Sequence, residues 1–314
     1  MMDVIASYGS DELAKVYVAK MRNSKNHLVE FVESIQPPIP REKKWVLIVS
    51  TLFGCPIGCK MCDAGKSPYI GVLTAEEIIA EIDYMVKQRF QNNKIPIPKF
   101  KIQFARMGDP ALNIHILEVL ETLPFLYDAP GLLPSISTIA PINSIDFLHS
   151  LRNIKNKYYT NGNFQLQFSI HTSDNEKKRD LIPVKTLSFE EMAVFGEEYY
   201  QPGDKKITLN FAMCKGYPVN PSKIRDYFNP EQFIIKLTPV NPTENARKHN
   251  IESEIDASDP SSANAIVESF KNQGYDVILS IGEMEENKIG SNCGMFITKS
   301  KNESVNTSII NNGS

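Results

Sequence analysis

Three of the chain's five cysteines lie within eight positions, spaced C-x-x-x-C-x-x-C at Cys55, Cys59 and Cys62 in the stretch "GCPIGCKMCDAG". Thiols this crowded are metal ligands more readily than disulfide partners, because five cysteines in 314 residues are too few and too bunched for a disulfide framework. Structural zinc takes four protein ligands, usually as two pairs, and no second pair exists: Cys214 and Cys293 stand alone, and none of the five histidines is close in sequence. A cubic 4Fe-4S cluster has four irons, so three thiolates leave one iron open for a substrate or cofactor.

Such a loop needs rigid elements behind it. Apolar runs that read as short buried strands recur along the chain: 45–51, 99–106, 132–140, 163–171, 206–213, 233–239 and 275–281. Helical patterns separate them. The clearest begins after the cysteines, where Thr74 and Glu77 make a capping-box pattern and Ile78, Ile79, Ile82, Met85 and Val86 recur at helical spacing. Others are "NIHILEVLETL", "SIDFLHSLRNI" and "SSANAIVESFKNQG", the last stopped by Gly274. Strand-helix alternation without a Gly-rich nucleotide turn after the first strand predicts an α/β fold, a partial (β/α)6 barrel with a mostly parallel sheet. Residues 1–44 read as a polar N-terminal extension with a stiff connector at Pro37, Pro38 and Pro40, residues 45–298 as the core with a C-terminal Cys293 loop, and 299–314 as a frayed tail.

The cysteine spacing in a loop just after the first core strand resembles the radical S-adenosylmethionine superfamily, and further motifs resemble its methyltransferases of the RlmN/Cfr type from about residue 32 to 296. "ARMGDPALN" is similar to that family's G-M-G-E-P-x-x-N, "SISTIAP" to its S-T-S-G strand, and "FSIHTSDNEKKRDLIP" to its S-L-H-A-x-x-x-x-x-R segment. "LTPVNP" is similar to its L-I-P-x-N-P, and "SNCGMF" to its A-C-G-Q-L. The resemblance implies a 4Fe-4S cluster on Cys55, Cys59 and Cys62 that reductively cleaves S-adenosyl-L-methionine, with Gly108, Asp109, Ser137, Ser169, His171 and Asn241 contacting that cofactor. It also implies that Cys293 is methylated by one cofactor molecule, and that a radical from a second turns the S-methyl group into the attacking carbon. Glu33 stands near the family's carboxylate base, two residues out of register. A reductase such as flavodoxin or ferredoxin is the implied electron donor.

The pattern also breaks. A cysteine that the family places seven residues before the cluster, to release the thioether product, is Ile48 here; Cys214 is a candidate replacement thiol. Gly-Asp replaces Gly-Glu, and Lys185 stands where the family usually has Asn. The N-terminal extension is short, and the net charge of -3 lacks the basic footprint of a general nucleic-acid binder. The acceptor is therefore expected to have diverged, to a small molecule, a nucleoside or another RNA. Two other readings are a radical enzyme without methyl-cysteine chemistry, such as an isomerase, lyase or oxidative enzyme, and a non-enzymatic cluster-bearing RNA-binding or sensor protein. The chain is 42% hydrophobic with no apolar run near the roughly 20 residues of a membrane span and no secretory pattern at its start, so a cytoplasmic protein is expected. The triplet Lys177, Lys178, Arg179 reads as a solvated turn or helix face.

Overall fold

The computed structural model describes residues 1–35 and 38–282. Three antiparallel strands come first: β1 (Met2–Gly9), β2 (Ala14–Met21) and β3 (Leu28–Ser34), the last pairing with β4 (Trp45–Val49). A small hairpin of β5 (Leu52–Phe53) and β6 (Gly71–Val72) precedes α1 (Ala75–Arg89). Alternation then takes over: β7 (Phe100–Phe104), α2 (His115–Leu126), β8 (Leu132–Thr138), α3 (Ile145–Tyr158), β9 (Gln165–Ser169), α4 (Asn175–Leu181) and α5 (Phe189–Tyr199). The described chain ends through β10 (Ile207–Met213), α6 (Pro221–Tyr227), β11 (Phe233–Pro239), α7 (Glu244–Lys248), α8 (Asn264–Asn272) and β12 (Val277–Leu279).

The main sheet has ten strands in the order β1-β2-β3-β4-β7-β8-β9-β10-β11-β12, and every pairing from β4 to β12 is parallel. Right-handed crossovers that always advance in one direction put all the covering helices on one face. Strand alternation records this. Phe100, Ile102 and Phe104 are buried in the main core with Ile78, Ile82 and Val86 of α1, whereas Lys101 and Gln103 turn to the other face. Registered rows carry that inner face across the sheet: Gln103, Ser135 and Gln165; then Ser137, Gln167 and Thr208; then Ser169, Asn210 and Lys236. The sheet is an open partial barrel, since its edge strands β1 and β12 do not pair.

All seven core strands lie where the apolar runs place them. Within the polar N-terminal extension, residues 2–34 form three strands that the sequence reading did not anticipate. Alternation in β1 and the buried faces of β2 and β3 extend the sheet beyond β4, with Val18, Met21, Val29 and Phe31 joining the main core. Pro37 lies outside the described residues. Lys178 also departs from expectation: it is buried, with its ammonium 5.1 Å from the Phe189 ring centroid. No helix among the described residues is long and apolar enough to cross a membrane.

The capping box at α1 is present in full: the Thr74 hydroxyl accepts from the Glu77 amide, and the Glu77 carboxylate accepts from the Thr74 amide. Glu77 also holds Arg22 of the extension through two bonds of 2.6 and 2.7 Å. Thr74→Ala is expected to cost about 1 kcal/mol, read as a lower urea midpoint with an unchanged slope.

Candidate functional site

The three cysteines sit beyond the C-terminal end of β4, in a loop that leaves β5 and reaches a 3-10 turn at Asp63–Lys66. Gly54 and Gly58 have positive φ of 76° and 69°, and a Cβ on Gly54 would come within 2.4 Å of the Pro68 carbonyl oxygen, so the loop folds on itself only with glycine there. The backbone amides of Ile57, Gly58 and Asp109 hydrogen-bond the Cys55 sulfur, and Cys59 is close enough to Cys62, Cys55 and Asp109 for their negative charges to act on it. Burial first, then those neighbours, hold the Cys59 thiol well above its usual range. An array of thiols that resists ionisation until a cation arrives fits a cluster, whose irons supply that charge. Among the described residues no three His, Cys, Asp or Glu side chains converge as tightly as one metal ion requires. A cube needs a wider triangle, because each thiolate binds a different iron.

Two helices fasten the loop from opposite sides. From α4, Asp180 pairs with Lys60 and accepts from the Tyr217 hydroxyl at 2.6 Å, while the Lys60 amide donates to the Leu181 carbonyl at 3.0 Å. At α7, the Thr243 hydroxyl donates to the Met61 carbonyl at 2.9 Å and the Asn245 side chain donates to the Cys62 carbonyl at 2.7 Å. Asp63 answers by accepting from the Asn245 amide at 2.8 Å. An apolar wall of Ile57, Ile139, Leu181, Ile182 and Tyr217 packs on Cys55, Cys59 and Met61. Sequence reading missed Asp63, Asp180, Thr243 and Asn245, because their partners are 120 to 183 residues away in the chain. For Thr243 alone a local signal exists, the helix-capping pattern of "NPTENA".

The "ARMGDPALN" segment closes the site from the β7 side. Gly108 has a φ of 90° and a Cβ there would meet Leu52 at 2.3 Å. Asp109 is buried, and its carboxylate accepts from the Ala111 amide (2.9 Å), the Thr138 hydroxyl (2.7 Å) and the Ile139 amide (2.8 Å). Burial pushes its carboxyl up to about 6 against those hydrogen bonds. Two of roughly four acceptor positions are thus used to tie β7 to the end of β8 and a third caps the turn that follows, so one is left for a ligand.

The other expected contacts line the same end of the inner face. Ser137, near the end of β8, and Ser169, the last residue of β9, are half-buried there, and Asn241 follows β11. His171 is buried with φ at 66°, and its Nδ1 accepts from the Ala212 amide at 3.0 Å. That bond leaves Nε2 as the proton-bearing nitrogen of a neutral ring. Burial, with the Lys178 charge added, brings its pKa down from 6.5 to about 3. The unfolded chain therefore binds more protons between these two values, so stability is lost as pH falls through that window, by up to about 1.4 kcal/mol per pH unit. His171→Asn, which tolerates the left-handed backbone, is expected to flatten this slope in urea titrations between pH 6.5 and 4.

One expected residue, Glu33, is not brought to the thiols, and the candidate replacement thiol Cys214 is brought near but closed off. Glu33 pairs with Leu47 on β4 and accepts from the Trp45 indole at 3.0 Å and from Arg89, the last residue of α1, at 2.9 Å. It is buried at the opposite end of the strands, in a structural ion network that also includes Arg41. Cys214 is close, in the apolar wall of the loop, but it is fully buried, donates to the Ala212 carbonyl, and is pushed up to about 12 by burial. Ile48 packs beside Leu13, Ala14, Val16 and Val32. Cys293 lies outside the described residues.

No protein-family model matches the chain. Relatives do. It is 24% identical over 293 residues to the probable dual-specificity RNA methyltransferase RlmN of Petrotoga mobilis, covering 88% of this chain and 79% of that one. It is 25% identical over 245 residues to the dual-specificity RNA methyltransferase RlmN of Syntrophobacter fumaroxidans, covering 77% and 66%. Over most of its length the chain is similar to proteins named dual-specificity RNA methyltransferase RlmN. With the protein of the same name from Chlorobium phaeobacteroides, 28% identical over 186 residues, the match spans about half (48%) of the relative's length. The fold agrees with the crystal structure of a radical SAM methyltransferase from Sphaerobacter thermophilus, at a TM-score of 0.68 and 15% identity over 89% of this chain and 76% of that one.

Proposed function

We propose that this protein transfers a one-carbon unit to an unactivated carbon, using a 4Fe-4S cluster on Cys55, Cys59 and Cys62, S-adenosyl-L-methionine, and Cys293 as the methyl carrier. The observation that carries this reading is the arrangement of three thiols beside the Gly108–Asp109 turn, at the strand ends where Ser137, Ser169 and neutral His171 face inward. When bound, the cluster supplies the electron that cleaves S-adenosyl-L-methionine and so gives the hydrogen-abstracting radical. The chain's own residues orient and enclose. The α4 and α7 contacts fix the loop, the Ile57–Ile182 wall excludes water, and His171 offers an Nε2 proton donor that does not titrate near neutrality.

The relatives are named for RNA. For this chain we propose an acceptor that has diverged from theirs, a nucleoside or another small molecule, because a net charge of -3 provides little phosphate attraction. A flavodoxin or ferredoxin as electron donor and a cytoplasmic setting, where thiols stay reduced, complete the proposal. The test is formation of 5'-deoxyadenosine by the reduced, iron-loaded protein; none after full reduction would overturn the reading. One observation favours a second reading, radical chemistry without a methyl carrier. Ile48 occupies the place of the releasing thiol, and Cys214, the one cysteine outside the cluster triad among the described residues, is too deeply buried and too weakly acidic to serve. Cys293→Ala separates the two, since it ends methyl transfer and spares cofactor cleavage only under the first.

A further inference from the structure

The opposite end of the barrel carries a second chemical feature. Lys101 is the second residue of β7 and belongs to the inner face, in register with Val46 of β4 and Leu133 of β8. Lys44 and Lys99 immediately precede β4 and β7, and Lys205 comes two residues before β10, all at the N-terminal ends of the strands. Lys236, midway along β11 on the inner face, adds its charge from farther up the barrel. These ammonium groups are close enough to act on one another: burial, followed by the charges of Lys236, Lys99, Lys44 and Lys205, holds Lys101 down to about 7.

Nothing acidic balances them from the sheet. No Asp or Glu occurs in β4 or in any strand from β7 to β12. Among the described residues Lys44, Lys99, Lys101 and Lys205 form no ion pair, while nearby Asp204 and Asp276 are taken by Lys155 and Lys206. Gln165 starts β9 on the same face, two strands from β7, and its side-chain oxygen is buried without a partner. An orphaned amide there can turn its NH2 group inward instead.

Lys44, Lys99, Lys101 and Lys205, gathered at the N-terminal ends of β4, β7 and β10 and each a donor of up to three hydrogen bonds when protonated, suit a ligand with several acceptor oxygens, whose charge favours that form. We infer that the N-terminal mouth of the partial barrel is an oxyanion site of the phosphate class, taking inorganic phosphate or the phosphoryl group of a small metabolite. The site is separate from the cysteine loop, which lies at the other end of the same strands, so it stands whatever reaction occurs there.

The experiment is thermal unfolding of the full chain against inorganic phosphate at constant ionic strength, set with potassium chloride, at pH 7. A saturable rise in Tm is expected, because a ligand that binds only the folded state stabilises it in proportion to ln(1 + [L]/Kd). Lys101→Met, which removes a charge the fold disfavours, should unfold at a higher temperature without phosphate and bind it at least tenfold more weakly; Lys101→Arg should keep the response. Lys87→Met on the exposed face of α1, where Lys87 pairs with Asp83, is the control expected to respond like the native chain. Adenosine monophosphate binding tighter than inorganic phosphate would support a phosphorylated metabolite as the ligand, and the reverse order would support the free ion. A non-saturable response, or one that Lys101→Met and Lys87→Met reduce alike, would overturn the inference.

Discussion

Cys59→Ala is expected to take the protein from about four irons per chain to almost none, and to end all formation of 5'-deoxyadenosine, while the far-ultraviolet circular dichroism stays native. The reasons lie in the loop. Cys59 is the middle ligand in sequence, and the charges of Cys62 and Cys55 both act on it. Two thiolates cannot hold a cube whose third iron is left bare. The fold should survive because the loop is anchored by other groups: Lys60 on Asp180, Thr243 on Met61, and Asn245 on Cys62. Iron and sulfide assays with the native chain in parallel check this. A variant that keeps its iron would remove Cys59 from the ligand set, and bound zinc in the native chain would point back to the structural-metal reading.

Asn113→Ala carries the largest expected loss of stability. Asn113 ends the "ARMGDPALN" segment and is fully buried; its amide donates to the carbonyls of Thr51 and Leu73, both at 2.8 Å, and its oxygen accepts from the His115 amide at 3.0 Å at the start of α2. One side chain thus joins the end of β4, the entry to α1 and the entry to α2. Alanine would orphan the Leu73 carbonyl and the His115 amide, at about 1–3 kcal/mol each where water cannot reach them, while the Thr51 carbonyl keeps the Leu73 amide, for a combined loss of roughly 2–4 kcal/mol after relaxation. Urea unfolding should show it as a lower midpoint. The cysteine loop departs from this junction, so iron retention should fall with stability. A loss below about 1 kcal/mol would mean that water replaces the amide and that the junction is less dry than the structure shows.

The core was legible because its signals are local. Runs such as "KFKIQFAR" and "FIIKLTP" state their strands outright, and Thr74 with Glu77 states the start of α1. The extension was not, because β1 alternates half-buried with exposed positions and β2 and β3 owe their burial to packing on β4. Among candidate site residues, the cysteine triad stands out by its spacing and Gly108 by the resemblance of "ARMGDPALN", while the close approach to Leu52 that suits glycine there is seen only in three dimensions. Glu33 shows the opposite case. Its place in the chain suggested a base, but antiparallel pairing with β4 carries it to Trp45 and Arg89 at the far end of the sheet, which no linear spacing reveals. Asp109 lies between the two: it is beside the thiols, yet two of its bonds serve the junction of β7 and β8 and a third caps its own turn. Lys178 as a buried lysine and Lys101 as a half-buried one were invisible, since a lysine in sequence defaults to solvent.

The most direct measurement of the central proposal is a peptide mass map of Cys293 from anaerobically purified, iron-loaded protein, with and without isotopically methyl-labelled S-adenosyl-L-methionine under reducing conditions. One-carbon transfer through Cys293 predicts a labelled methyl group on that thiol and on no other cysteine. A bare Cys293 in protein that still forms 5'-deoxyadenosine would contradict it and leave a radical enzyme that shares the fold of its relatives but not their carrier.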